Sequence, residues 1–243
     1  MSSRLAEPPT SITNLSTGCA FIDKAIGGLP YRAITHIYGA ASVGKSTLAM
    51  EAYLGVARQG CGCFVIDCGG SYNPRRLLQL CGSAPLPAHR ITLFRPRTFE
   101  EQSELIMKLH LFLDPTVRLI VVDPITNLYR RQVTPEAMTA LYRELAERQL
   151  PRLVGLARDN NLAVIVVNQI STWNGEDHPV GGDAIHRYAA LEVCVDRFED
   201  NSASNRWLVL SRPHDPEPHR RILAELHGSG FRAIKAFSAS SST

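Results

Sequence analysis

Short apolar runs alternate with longer amphipathic stretches along most of this chain. The first five runs predict β-strands at 33–38, 63–67, 90–94, 118–122 and 163–168. The middle runs are continuously apolar, which is typical of strands that a parallel sheet buries on both faces. The amphipathic stretches predict helices at 45–58, 74–81, 99–113 and 135–160. This order favours a doubly wound α/β sheet.

Several residues mark the expected ends of these elements. Thr98 precedes Glu101 by three positions, a capping box that predicts the start of the third helix. Pro135 follows Thr134 at the start of the fourth helix, and Pro151 is expected to kink that helix. Four further strands are predicted at 191–198, 206–211, 221–226 and 231–237. Because no long helix separates the last three, we expect an antiparallel extension at one edge of the sheet.

The chain has 243 residues, which is enough for one large α/β domain. We assign a single core to residues 15–237, with a flexible N-terminal segment at 1–14 and a flexible tail at 238–243. No apolar run approaches the ~20 residues that cross a bilayer, and the N-terminus lacks the apolar core of a secretory signal. These features predict a soluble cytoplasmic protein with no membrane partner.

Composition narrows the function classes further. Apolar residues make up 44% of the chain, which excludes general disorder. The net charge is only +3, so charge by itself does not indicate nucleic-acid binding, although local basic patches are allowed. Six cysteines are present without paired C-x2-C spacing, and we interpret them as core thiols rather than zinc ligands or disulfides.

A glycine-rich loop stands between the first strand and the first long helix. Residues 39–46 match the phosphate-binding pattern G-x4-G-K-S in the strand-to-helix setting that the motif requires. Such a loop wraps phosphates with backbone N–H groups, and the start of the helix directs its positive end at them. Lys45 is placed to reach the β- and γ-phosphates, and Ser46 to ligate Mg²⁺. The predicted nucleotide contacts are Gly39, Ala40, Ala41, Ser42, Val43, Gly44, Lys45, Ser46 and Thr47.

Two other strands should end beside this loop. Asp123 closes the strand at 118–122 and is predicted as a second Mg²⁺ contact. The strand at 163–167 delivers Asn168 and Gln169 to the same edge. Gln169 can sense a γ-phosphate there, while an amide that only caps a turn is the alternative.

Two segments after these strand ends are candidates for DNA contact. The first combines an aromatic residue with adjacent cations, a pairing that stacks a base and follows a phosphate backbone. The second runs from 170 to 182, and its acids at 176 and 177 oppose phosphate binding. Solvated surface arginines and a tryptophan packed in the core are the alternatives. The predicted contacts are Tyr129, Arg130, Arg131, Trp173 and, on the following helix, Arg187.

Longer stretches carry a resemblance that covers the chain from about 15 to 237. They are LSTGC at 15–19, VVDPITNLYRR at 121–131, LARDNNLAVIVVNQI at 156–170, PVGGDAIHRYAALEV at 179–193 and NRWLVLSRPH at 205–214. Together they resemble the RecA-like recombinases, and most closely the RadB branch found in archaea. The resemblance implies a RecA-like P-loop NTPase core, with a mostly parallel central sheet flanked by helices and an antiparallel C-terminal extension.

The resemblance also implies ligands, partners and residue roles. ATP and Mg²⁺ are the expected ligands, and single-stranded or branched DNA and recombinase or other repair proteins are the expected partners. Arg76 matches the family arginine that stacks on adenine. Gln169 matches the residue that links the γ-phosphate to the second DNA loop. Residues 214–216 match the segment that caps nucleotide across a subunit interface.

Three departures from the family pattern change this expectation. The hydrolytic glutamate position holds Gly69, which cannot deprotonate water, so ATP binding with very slow hydrolysis is implied unless Asp67 or an acid from another subunit substitutes. Only about 14 residues precede the core, so the family's helical N-terminal DNA-binding domain is not expected. No Phe-x-x-Ala hook occurs, which favours a monomer or small oligomer over a long filament. An accessory role in recombination and repair, without independent strand exchange, follows.

Other functions remain open from the sequence. One is a working DNA-dependent ATPase of recombinase type. Another is a P-loop small-molecule kinase, which Asn168 and Gln169 followed by a glycine-containing loop fit poorly. A third is a scaffold that keeps nucleotide for stability alone.

Overall fold

The computed structural model describes residues 14–129, 139–140, 142–173, 176–180, 183–198, 203–213 and 220–237. The strands in chain order are β1 Asn14–Leu15, β2 Leu29–Pro30, β3 Ala33–Tyr38, β4 Gly62–Asp67, β5 Ile91–Phe94, β6 Val117–Asp123, β7 Ala163–Val167, β8 Ile170–Trp173, β9 Glu176–Pro179, β10 Ala189–Arg197, β11 Asn205–Ser211, β12 Arg220–His227 and β13 Gly230–Phe237. The helices are α1 Ala20–Ile26, α2 Lys45–Arg58, α3 Pro74–Cys81, α4 Phe99–Lys108, α5 Leu150–Asn160 and α6 Ala184–Tyr188.

One sheet of nine strands organises the molecule, in the order β13-β12-β11-β10-β3-β7-β6-β4-β5. The strands from β10 to β5 run parallel to their neighbours. The pairs β10–β11, β11–β12 and β12–β13 are antiparallel, so the expected C-terminal extension is confirmed. Because β3, β4, β6 and β7 are parallel, their carboxyl ends meet at one edge, and the register places Asp67 opposite Asp123.

The central strands are buried on both faces. Val121 belongs to an apolar cluster with side chains of α1, α2 and α3, and its neighbour Val122 belongs to a second cluster with α4, α5 and α6. Both valines are fully buried. This two-sided burial explains why the middle strands are continuously apolar in sequence.

The structure corrects the predicted elements in several places. The third helix ends at Lys108 and tightens into a 3₁₀ turn at Leu109–Leu111, because the Asp114–Pro115 pair that follows cannot continue a helix. Before Pro151 the fourth helix widens into a π-helical turn at Glu144–Gln149 instead of a simple kink. This wider turn accommodates the proline ring and its missing N–H. The predicted start of that helix at 134–135 lies outside the described residues.

Two further segments differ from the sequence-based expectation. The segment at 170–182, predicted as an irregular loop, contains the antiparallel hairpin of β8 and β9. Asn14, assigned to the flexible N-terminal segment, pairs with Pro30 in the small sheet of β1 and β2. The rest of that segment and the tail at 238–243 lie outside the described residues.

The cysteine interpretation is confirmed in part. No disulfide joins any of the six cysteines, all of which the structure describes, and Cys63, Cys68 and Cys81 are buried in the apolar clusters. Burial raises the pKa of the Cys63 thiol and keeps it protonated. Among the residues that the structure describes, no helix combines the length and the apolarity needed to cross a membrane.

Gly55 and Gly155 give a matched test of how closely helix α2 packs. A Cβ added at Gly55 would lie 1.2 Å from the Thr17 carbonyl oxygen, whereas one at Gly155 in α5 would meet nothing within 4 Å. We expect Gly55→Ala to lower the free energy of unfolding by about 3 kcal/mol or more, because backbone must move. Gly155→Ala should raise it by about 0.5–1 kcal/mol through helix propensity. Urea unfolding measures both, and equal stabilisation by the two variants would contradict the packing at Gly55.

Candidate functional site

The phosphate-binding loop joins β3 to α2, as its sequence motif predicts. Its glycines are required by close backbone approach: a Cβ at Gly39 would lie 2.1 Å from the Val195 carbonyl oxygen, and one at Gly44 would lie 2.7 Å from Cζ of Phe231. Both glycines have positive φ angles, +149° and +112°. The loop therefore packs against the antiparallel half of the sheet, which fixes its path.

Lys45, the first residue of α2, is 6% exposed. Its ammonium donates a hydrogen bond to the carbonyl oxygen of Ala40, inside the loop itself. Burial lowers the pKa of Lys45, while the nearby carboxylate of Asp123 acts in the opposite direction. The Lys45 side chain is thus held at the base of the loop, where phosphates would be bound.

Asp123 ends β6 with only 5% of its surface exposed. Its Oδ2 atom accepts a hydrogen bond from the Ser71 hydroxyl at 3.0 Å, and the Ser46 hydroxyl donates to the same carboxyl group. Burial nevertheless raises the pKa of Asp123 to about 6. Oδ1 is buried and has no hydrogen-bond partner among the described residues. A buried carboxylate oxygen beside a serine hydroxyl suits Mg²⁺, so Ser46 and Asp123 fit the predicted metal contacts.

Asp67 and Ser71 lie next to Asp123 and form a polar cluster that the motif alone does not include. Asp67 Oδ1 accepts from the backbone N–H of Ser71 at 2.7 Å and lies 3.2 Å from the Ser71 hydroxyl. Its other oxygen pairs with Arg95 at 3.3 Å. Oδ1 of Asp67 is therefore hydrogen-bonded, whereas Oδ2 is ion-paired but accepts no hydrogen bond from the described residues, and Ser71 bridges the two carboxylates.

Gly69 faces the ring of Pro124. A Cβ built at Gly69 would lie 2.7 Å from Cδ of Pro124, closer than side-chain carbons approach in folded proteins. Because Pro124 directly follows Asp123, the backbone of this loop closes against the segment that carries the metal contact. The position that matches the hydrolytic glutamate thus lacks a carboxylate, and a side chain there would press its Cβ against the Pro124 ring.

Gln169 lines a cleft of about 270 Å³ together with Lys45, Ser46, Thr47 and Asp123. The other lining residues come from the phosphate loop, from the segment after β6, from the end of β7 and from β12. The structure therefore brings Gln169 to the same cleft as the phosphate loop and Asp123, and its role toward a γ-phosphate stays a prediction. Its neighbour Asn168 is fully buried beneath it.

Arg76 contacts the turn between β12 and β13. Its guanidinium donates to the carbonyl oxygens of Gly228 at 2.6 Å and of His227 at 3.0 Å. The start of α3 positions the side chain, because the Asn73 side chain caps the helix by accepting from the N–H groups of residues 75 and 76. Stacking of Arg76 on adenine stays a prediction, and in this structure the guanidinium holds the turn.

Glu51 lies beneath the same turn and was not singled out from the sequence. Its carboxylate accepts a hydrogen bond from the N–H of Phe231, with distances of 3.1 and 3.2 Å to its two oxygens. Burial raises the pKa of Glu51 to about 7, while Arg76 acts in the opposite direction. A single acid inside the otherwise apolar middle of α2 was the sequence signal, since buried carboxylates need partners.

The predicted DNA contacts are only partly placed. The ring of Tyr129 is 3% exposed and packs edge-to-face on Phe99 at 5.3 Å, so the prediction that it stacks a base is corrected: it is a core residue. Arg187 is exposed and donates to Asp183 at 2.8 Å and to Tyr142 at 2.6 Å. Arg130, Arg131, residues 214–216 and the side chain of Trp173 lie outside the described residues.

Comparison with known proteins finds one matching family model and several similar chains. The family model described as Rad51 matches residues 9–199. The chain is 36% identical over 203 residues to the "DNA repair and recombination protein RadB" of Pyrococcus horikoshii, covering 82% of this chain and 85% of that protein. The protein of the same name from Thermococcus sibiricus is 35% identical over 94% of this chain and 99% of its own length.

A solved structure is similar as well. The crystal structure of a RadB recombinase superposes with a TM-score of 0.75 and 27% sequence identity, covering 91% of this chain and 100% of that one.

Titration of Glu51 predicts a pH-dependent stability. Its pKa rises from an ordinary 4.5 to about 7 on folding, so the folded state holds the proton longer and stability falls as pH increases through that window. Glu51→Gln keeps an oxygen for the Phe231 N–H and removes the titration. We expect this variant to exceed the parent in stability by up to about 3 kcal/mol at pH 8 and by little at pH 4.

The measurement is urea unfolding across pH 4–8, with Glu104→Gln on the exposed face of α4 as the matched control. A stability difference between parent and Glu51→Gln that does not change with pH would contradict the burial of this carboxylate.

Proposed function

Because this chain belongs to the Rad51 family and is RadB-like, we propose that it serves DNA recombination and repair as an accessory protein that binds ATP and DNA. The observation that carries the proposal is the cleft that joins Lys45, Ser46, Asp123 and Gln169. These residues supply a phosphate-binding cation, two oxygen ligands for Mg²⁺ and an amide for the γ-phosphate. Bound Mg²⁺ would neutralise phosphate charge between Ser46 and Asp123.

Hydrolysis in this proposal is very slow. Gly69 provides no carboxylate, and loss of a general base costs about 10²–10⁴-fold in rate. Asp67 is a poor substitute, because Oδ1 is hydrogen-bonded to Ser71 and Oδ2 is buried and ion-paired with Arg95, so neither oxygen is exposed to a water as a general base. ATP then acts mainly as a ligand that biases the arrangement of neighbouring loops, as in other switches that respond to a γ-phosphate.

The proposed partners are single-stranded or branched DNA and a recombinase or other repair protein. The DNA contacts would come from the two segments that follow Asp123 and Gln169, which both leave the cleft edge. Without a Phe-x-x-Ala hook in the chain, a monomer or small oligomer is proposed rather than a long filament.

Steady-state ATP hydrolysis tests the enzymatic part. We expect the rate, with or without single-stranded DNA, to stay near that of Lys45→Ala, while equilibrium binding of ATP is strong in the parent and lost in the variant. A DNA-stimulated rate far above this blank would favour the active DNA-dependent ATPase. Phosphate transfer to a small acceptor would favour a P-loop small-molecule kinase. A DNA affinity that Lys45→Ala leaves unchanged would favour a scaffold that keeps nucleotide for stability alone.

Two variants sharpen this test through the contact between Gly69 and Pro124. Gly69→Glu alone should not restore hydrolysis, because its Cβ would meet the Pro124 ring. Gly69→Glu combined with Pro124→Ala removes the obstructing ring atoms and should raise the rate at least about tenfold, the low end of general-base effects. Restoration by the single variant would contradict the steric part of the argument.

The salt dependence of DNA binding tests the first DNA segment. Replacing Arg130 and Arg131 together with alanine should weaken binding of single-stranded DNA and reduce the slope of log K against log salt by about 1.4, or ~0.7 per lost phosphate contact. ATP binding should be unchanged. The control is the equivalent double replacement of Arg220 and Arg221, an adjacent exposed pair on β12. Equal slopes in the parent and in Arg130→Ala/Arg131→Ala would overturn this assignment.

A further inference from the structure

Asn168 occupies an unusual position in the cleft: it is fully buried, yet its side chain is almost completely hydrogen-bonded. Its Oδ1 atom accepts from the Thr126 hydroxyl at 2.8 Å and from the backbone N–H of Gln169 at 2.8 Å. Its Nδ2 atom donates to the Val180 carbonyl oxygen at 2.9 Å. One amide therefore joins three stretches of chain: it bonds the Thr126 side chain, the adjoining backbone of Gln169 and the backbone of Val180.

Those three stretches have different roles in the cleft. Gln169 lines the nucleotide site, and Val180 follows the hairpin of β8 and β9. The N–H of Val180 also donates to the Gln169 carbonyl oxygen at 3.0 Å, so the base of that hairpin is closed at Asn168. Thr126 belongs to the segment that leads from Asp123 to Arg130.

The segment at 124–129 is itself fixed from several sides. The N–H of Ile125 donates to the Val167 carbonyl oxygen at 3.0 Å, and its own carbonyl oxygen accepts from Gln102 at 2.9 Å. The side chain of Asn127 donates to the carbonyl oxygen of Cys68 at 3.0 Å. The Thr126 hydroxyl is thus the side-chain link from this ordered segment to Asn168.

Burial makes these bonds sensitive to small displacements. Thr126 is 1% exposed and Asn168 is 0% exposed, so bulk water does not replace a lost partner. A hydrogen bond that is broken in such a place costs the desolvation of the groups left behind. A shift of Gln169 toward a bound phosphate would strain the hydrogen bonds of Asn168. The strain is relieved if Thr126 and Val180 move together with Gln169.

We infer that Asn168, held by Thr126, is a positioning residue that couples nucleotide in the cleft to both segments that are proposed to contact DNA. The coupling to DNA rests on the proposed function, whereas the coupling between the nucleotide and the two segments does not. Coupling of this kind is reciprocal, so ATP changes DNA affinity by the same factor by which DNA changes ATP affinity.

Thr126→Val tests the link, because it replaces the hydroxyl with a methyl group of similar size. The matched control is Thr35→Val, since the Thr35 hydroxyl is equally buried but has no hydrogen-bond partner among the described residues. Thr126→Ser keeps the hydroxyl and serves as the conservative variant. The readout is the ratio of single-stranded DNA affinities with and without Mg-ATP.

In the parent chain we expect the single-stranded DNA affinities with and without Mg-ATP to differ by a factor in the ordinary range of about 5–150. Thr126→Val should bring it to within about twofold of one, with ATP affinity in the absence of DNA nearly unchanged. Thr35→Val and Thr126→Ser should keep the parent ratio. A parent-like ratio in Thr126→Val, or an equal loss in Thr35→Val, would overturn the inference and leave the proposed function intact.

Hydrogen exchange gives a second readout that does not need DNA. Mg-ATP should change amide protection at 124–129 and at 176–180 in the parent and in Thr35→Val, but not in Thr126→Val. If the parent binds no DNA, or if its affinity ratio is one, the proposed function fails. The exchange result still decides the inference, since unchanged protection in the parent, or the same change in Thr126→Val, overturns it.

Discussion

Burial of the Asp123 carboxylate is the constraint on which the rest of the cleft depends. Removing a carboxylate from water costs several kcal/mol unless neighbours compensate. Here the compensation comes from Ser46 at the start of α2, from Ser71 in the loop after β4, and from the charge of Lys45. These partners come from the start of α2 and from the loop after β4, so satisfying one acid brings the phosphate loop and the ends of β4 and β6 together. The Oδ1 atom of Asp123 is buried without a hydrogen-bond partner among the described residues, and a bound cation would compensate it.

Much of this arrangement could be predicted from the sequence because local patterns determine it. Helices α2 and α3 begin and end where they were predicted, since Gly44, Asn73 and Pro74 give unambiguous start signals. The parallel sheet could be predicted because helices separate its apolar runs along the chain. The antiparallel extension could be predicted because no long helix separates the last three runs. The phosphate loop is a contiguous motif, and its flanking strand and helix are part of the signal. These features need no knowledge of distant contacts.

Other features depend on residues that are far apart in sequence. The ring of Tyr129 turns inward because Phe99, 30 positions earlier, offers it an edge-to-face contact, and an aromatic beside two arginines looks the same in sequence whichever way it turns. The obstruction at Gly69 comes from Pro124, which directly follows the neighbouring strand β6. The partners of Glu51 come from β13, 180 positions later. These contacts depend on the order of strands in the sheet. The hydrophobic pattern of the sequence does not determine that order.

The contact between Gly69 and Pro124 also limits the substitutions that are open to descendants of this chain. While Pro124 is present, any side chain at position 69 meets its ring, so a mutation that restores a carboxylate there is harmful before it is useful. The change at Pro124 must come first, and by itself it supplies no catalytic group. On the proposal that Gly69 makes hydrolysis slow, the order of these two substitutions, rather than the rarity of either one, would hinder a return to rapid hydrolysis. A lineage with this pair would then be held to the uses of ATP that binding alone provides.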